Sequence, residues 1–65
     1  MNAVEDVEKL FAYKHLPEHL QAVSRNFHDL ALYIFAAFPP SAERTLSLRE
    51  LWASKNYAVW CAANK

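Results

Sequence analysis

An all-α fold, in which a short N-terminal helix is followed by two long antiparallel helices, is what this sequence of 65 residues predicts. Three observations carry that expectation. Glycine is absent, so turns that need positive φ lack their usual residue, and no Asn-Gly or Asp-Gly hairpin signal occurs. Pro17 and the pair Pro39-Pro40 divide the chain into one short piece and two long ones. Within the pieces, apolar residues recur at helical rather than alternating spacing. One domain, residues 1–65, accounts for the whole chain.

The first piece, from about Asn2 to Phe11, carries Val4, Val7, Leu10 and Phe11 on one helical face, with Glu5, Asp6 and Glu8 toward the positive end of the helix dipole. Tyr13-Lys14-His15-Leu16 follows as a surface connector, because the residue before Pro17 is pushed toward extended geometry. Such a segment is a good place to meet a ligand. Pro17 suits the first turn of a helix. From there Leu20, Val23, Phe27, Leu30, Ile34 and Ala37 form a seam with spacings of three and four. Phe38-Pro39-Pro40 stops this helix, and Ser41 reads as the N-cap of the next, with Glu43 favourably placed in its first turn.

That last helix runs toward Asn64, yet Leu46, Leu48, Leu51, Trp52, Tyr57, Val59 and Trp60 do not share one narrow stripe. Leu32, Tyr33 and Phe35 widen the apolar arc of its predecessor in the same way. Each long helix spans on the order of 30 Å, and a chain of this size buries only roughly 60% of the surface its unfolded form exposes. With 54% hydrophobic and 14% aromatic residues, two helices and a stub cannot cover their own apolar surface. A homo-oligomer is the expected remedy, with Phe27, Phe35, Phe38, Trp52 and Trp60 in the core or at subunit interfaces.

Composition narrows function by exclusion. One cysteine rules out a disulfide scaffold or a zinc ribbon. Seven basic and seven acidic residues leave no net charge, and the cations lie scattered among carboxylates, which argues against long nucleic acid as a partner and against a small DNA-binding dimer. The opening Met1-Asn2-Ala3-Val4-Glu5-Asp6 lacks the basic and apolar regions of a signal peptide, and the longest apolar run, Leu30 to Phe38, is too short to span a bilayer. A soluble, reduced, cytoplasmic protein is expected.

No catalytic arrangement emerges. His15 and His19 are four residues apart, but Pro17 opens a helix between them, so they need not converge on a metal. His28 and Asp29 are neighbours expected to point in different directions from one helix. Cys61, between Trp60 and Ala62, behaves as a small hydrophobe. A nucleophile elbow and a phosphate-cradling loop both require glycine. Neither an enzyme nor a bound cofactor is expected.

The remaining polar residues are Tyr13, Lys14 and His15 on the connector and Arg25, Asn26 and His28 on the first long helix. Each has an ordinary structural alternative: Tyr13 as an anchor for the N-terminal stub, Lys14 and Arg25 as solvated charges. Glu43-Arg44-Thr45 reads as capping plus solvated charge in preference to a binding segment.

The combination Phe11-x-Tyr13-Lys14-His15-Leu16-Pro17, then Ser24-Arg25-x-Phe27-His28-Asp29-Leu30-Ala31, then Pro40-x-x-Glu43-Arg44-Thr45-Leu46-x-Leu48-Arg49-x-Leu51 resembles a family of small phage proteins. These are the anti-CBASS cyclic-oligonucleotide sponges, which inhibit bacterial defence by sequestering its second messengers. The resemblance runs from Phe11 to about Ala62. It implies a compact hexamer in the cytoplasm of an infected bacterium, with cyclic dinucleotides held between paired protomers and, in some members, cyclic trinucleotides at separate sites.

By that resemblance Tyr13 stacks on a base and Arg25 meets phosphate, with Lys14 and His15 secondary. Arg44, Thr45 and Arg49 are candidates for a trinucleotide site because a helix N-terminus with nearby arginine suits phosphate. The chain departs from the family in its aromatic end, Trp60-Cys61-Ala62-Ala63-Asn64-Lys65, and in carrying arginine at 25, where lysine is as readily expected. The competing expectation is an interaction module whose wide apolar face docks a helix of another protein in a phage or host assembly.

Overall fold

The computed structural model describes residues 3–65, with side chains described from Val7 onward. Met1, Asn2 and the side chains of residues 3–6, among them Val4, Glu5 and Asp6 of the helix expected from about Asn2, lie outside the described residues. Three helices make up the described residues: α1 (Ala3–Leu10), α2 (Glu18–Ala37) and α3 (Ala42–Ala63). No strand occurs among the described residues. The molecule measures 37 × 19 × 18 Å, matching a hairpin of two helices about 30 Å long with α1 laid against it.

The boundaries follow the prolines. Helix α2 begins one residue later than the sequence suggests: Pro17 is its N-cap, with φ −54° and ψ 149°, rather than a member of the first turn. Its carbonyl still accepts from the amides of Leu20 and Gln21, at 2.9 and 3.0 Å. Ser41 caps α3 as expected, its Oγ accepting the Arg44 amide at 3.0 Å.

The C-terminus of α2 is finished in an unusual way. Phe38 is extended, the last turn of α2 contains no basic residue, and no glycine is available to close it with a left-handed residue. The donor comes from across the loop: Arg44 Nη1 donates to the carbonyls of Phe35 at 3.1 Å and Phe38 at 2.9 Å. The same guanidinium lies 4.5 Å from the centroid of the Phe35 ring.

Phe11 is the centre of the core. It is fully buried, as is Ala31, beside buried Val7, and Phe27, Leu32, Phe35, Leu48 and Leu51 pack around them. Phe11 thereby fastens α1 to both long helices, which α1 could not join on its own backbone. Lys55 of α3 adds a polar clasp, its Nζ donating to the carbonyl of Leu10 at 2.7 Å and lying 5.8 Å from the Phe11 ring. Burial pulls the Lys55 ammonium below its ordinary 10.5.

The inward face of α2 is rotated from the expected seam. Leu20 is buried as anticipated, but the next fully buried positions are Ser24 and Ala31, while Leu30 stays 46% exposed and Ala37 is exposed. Small side chains let the neighbouring elements approach the backbone, and the wide apolar arc supplies Phe27 and Phe35 from either inward orientation. The Ser24 hydroxyl is buried with no hydrogen-bond partner among the described residues. Helix α3 has no buried residue at all; Tyr57 and Trp60 are 74% and 66% exposed, and Leu46, Trp52 and Phe38 are also open. No described helix is long and apolar enough to cross a membrane.

Candidate ligand-binding cleft at the connector

The connector is held in one shape by local hydrogen bonds. Leu16 N donates to the Tyr13 carbonyl at 3.0 Å, closing a turn over residues 13–16. Gln21, one turn into α2, reaches back with its side-chain amide to the carbonyls of Leu16 at 2.8 Å and Lys14 at 3.3 Å. Lys14 and His15 are consequently displayed at the surface on a fixed backbone, with Tyr13 half-buried beside them.

Between this turn, α1 and α2 lies an open cleft of about 430 Å³ lined by Glu8, Ala12, Tyr13, Lys14, His15 and His28. Its size falls within the usual range for small-molecule sites. Tyr13 meets the His28 ring edge to face, with centroids 5.1 Å apart at 69°. His28 Nδ1 lies 3.1 Å from Asp29 Oδ1. An ionised carboxylate only accepts, so the proton of this bond sits on Nδ1 and leaves Nε2 as the ring's other polar atom. The expectation that His28 and Asp29 diverge is therefore corrected: the ring nitrogen nearest the backbone and a short carboxylate meet across adjacent positions although their Cβ atoms do not share a face.

Arg25 does not line the cleft. Its Nε is 3.9 Å from Asp29 Oδ2, and both side chains are largely exposed, at 68% and 63%. A surface pair four residues apart on a helix is worth only about 0.3–0.5 kcal/mol, so this guanidinium is easily drawn to another anion. Asp29 thus couples His28 to Arg25, and the chain Tyr13–His28–Asp29–Arg25 runs from the connector along the outer face of α2.

Arg44, Thr45 and Arg49 are gathered elsewhere. They line a smaller groove of about 160 Å³ with Val7, Leu10, Phe35 and Leu48. The Arg44 guanidinium there is occupied by the carbonyls of α2 and the Phe35 ring, which gives it a structural task. Thr45 and Arg49 remain exposed.

Sequence reasoning gave Glu8 a dipole role and overlooked Lys55. Glu8 reaches the cleft because α1 folds back along α2, a long-range event with no local signal. Lys55 reveals itself only through its partner, the end of α1, 45 positions away. No group of three or more His, Cys, Asp or Glu side chains converges as a metal site among the described residues.

Comparison with known proteins returned no match: no family model, no curated protein and no solved structure matches the chain.

Proposed function

We propose that the protein binds cyclic dinucleotide second messengers, with cyclic trinucleotides as a second class, and sequesters them intact, thereby inhibiting the bacterial CBASS antiphage response in the cytoplasm of an infected cell. The observation that carries this reading is the connector cleft, where a half-buried tyrosine stands next to Lys14, His15 and His28. An aromatic face and a few cations are what one base and one phosphate require: stacking contributes about 1–3 kcal/mol per base, and cations meet phosphate through charge-assisted hydrogen bonds. A cyclic dinucleotide with twofold symmetry presents two such halves, so two protomers offering one cleft each would enclose it. Arg25 is the cation able to swing from Asp29 toward the second face of the phosphate.

The assembly this needs is a homo-oligomer, with a hexamer as the form the family resemblance implies. Support for it is the open apolar surface of Leu46, Trp52, Tyr57 and Trp60 on α3 and of Leu30, Tyr33 and Phe38 on and beside α2. That same surface favours the second reading, a module that docks another protein's apolar helix. Light scattering after size exclusion separates the two, since a discrete hexamer supports capture between protomers and a monomer supports docking.

The decisive experiment incubates the purified protein with a panel of cyclic di- and trinucleotides, heats the complex, and chromatographs what is released. Intact ligand recovered in stoichiometric amount is expected; hydrolysed ligand, or none retained before heating, overturns the proposal. Tyr13→Ala is expected to weaken binding roughly tenfold to hundredfold, the equivalent of losing one stacked base, without changing the oligomer's mass in light scattering.

A further inference from the structure

We infer that His28 makes capture in the connector cleft proton-linked: its ring takes up a proton from solvent when a phosphodiester enters, and Nε2–H then donates to the phosphate. This rests on the cyclic-nucleotide reading and adds to it a residue and a dependence on pH.

The charges around the ring make the case. Glu8 of α1 and Lys14 and His15 of the connector line the cleft with His28 and Tyr13; on α2 itself, Asp29 contacts the ring and Arg25 contacts Asp29. Helix α3 contributes no residue to the lining among those described. With both histidines neutral, the two carboxylates and the two fixed cations cancel. A phosphodiester entering this neutral cluster brings a full negative charge and no compensating one. Arg25 supplies compensation only by abandoning Asp29, which leaves that carboxylate uncovered next to His28.

Either way, the cheapest new positive charge is an imidazolium, since histidine is the side chain whose charge changes near neutral pH. His28 is better placed for this than His15. It is half-buried, in edge contact with Tyr13, and held by a carboxylate that keeps Nδ1 occupied. His15 is exposed on the turn and makes no side-chain hydrogen bond among the described residues. The sign is unambiguous: an anion bound against the ring raises its proton affinity, so by reciprocity protonation tightens the anion's binding, and affinity falls as pH rises.

The test measures dissociation constants for the tightest-binding cyclic dinucleotide of the panel from about pH 5.5 to 8.5, with calorimetry in buffers of differing ionisation enthalpy. For the wild type, affinity is expected to fall with rising pH by up to about a hundredfold per unit, the limit for two protons, one at each of the two clefts that enclose the ligand, with measurable proton uptake on binding. His28→Gln should flatten both, while His15→Gln should keep the slope. The His28 imidazole resonance followed by NMR in the unaltered protein gives a variant-free reading: its titration should move to higher pH on adding ligand. Tight binding with the same affinity at every pH, or uptake that survives His28→Gln and vanishes in His15→Gln, overturns the inference and leaves sequestration standing. No binding at any pH overturns the sequestration reading itself.

Discussion

The two ends of the hairpin treat their polar side chains in opposite ways. At the turn between α2 and α3, Ser41 and Arg44 are both turned onto the backbone, the hydroxyl accepting an amide and the guanidinium donating to two carbonyls. At the other end, Lys14, His15 and Arg25 face solvent, and the carbonyls of Lys14 and Leu16 are satisfied instead by a neutral side-chain amide, that of Gln21. The contrast teaches that charge near a helix end says little until its carbonyls and amides are accounted for. Helix α2 has no closing glycine or basic last turn, so its carbonyls must import a donor, whereas the N-terminal end of α2 can leave its cations available.

The sharpest way to break the contrast is to loosen the connector end. Phe11, which leads from α1 into the connector, is the sole fully buried large apolar side chain among the described residues, and Phe11→Ala is expected to cost about 3–5 kcal/mol in urea unfolding, with α1 released from the hairpin and its amides losing exchange protection. Retention of α1 protection in this variant would show that Lys55 alone holds the helix. At the turn end, Arg44→Met should cost about 1.5–3 kcal/mol, the range for hydrogen bonds to a charged group, and leave nucleotide affinity unchanged. A variant that keeps its stability but loses affinity would place Arg44 in a binding site and erase the difference between the ends.

Much of this division could be read in the sequence, and the rest could not for physical reasons. The three prolines and the Ser41 cap fixed the elements because these act within a few residues. The orientation of α2 was not legible, since a helix apolar on several sides has no unique inward face; ranking residues by hydrophobicity favoured Leu30, but close packing took Ser24 and Ala31. The connector was recognisable as an exposed segment bearing Tyr13, Lys14 and His15. Its meeting with His28 was not, because that depends on how α1 and the turn fold back on α2. Arg44 offered one usable clue: a helix ending in Phe38-Pro39-Pro40 without glycine needs a nearby donor, and Arg44 is the first cation after it.

Ser24 gives a smaller effect of opposite sign. Its hydroxyl is fully buried with no partner among the described residues, so Ser24→Ala removes an unsatisfied group and improves helix propensity. A gain of about 1–2 kcal/mol is expected. A loss instead would mean that the hydroxyl acquires a partner on assembly, and the mass of the variant in light scattering would then fall.

Lys55 yields the subtlest test, because its proton and its hydrogen bond act in different directions. Burial lowers its proton affinity in the folded chain relative to the ordinary 10.5, so the unfolded chain holds more protons through the window below 10.5. Stability therefore rises with pH across that window and its contribution is complete above 10.5. The bond to Leu10 requires only a donor, and a neutral amine still has one. The difference in unfolding free energy between wild type and Lys55→Met should accordingly grow in favour of wild type as pH climbs from neutral toward 10.5, the other titrating groups cancelling in the subtraction. A difference that shrinks instead would show that the ammonium's charge, acting on the end of α1, outweighs the cost of taking it out of water.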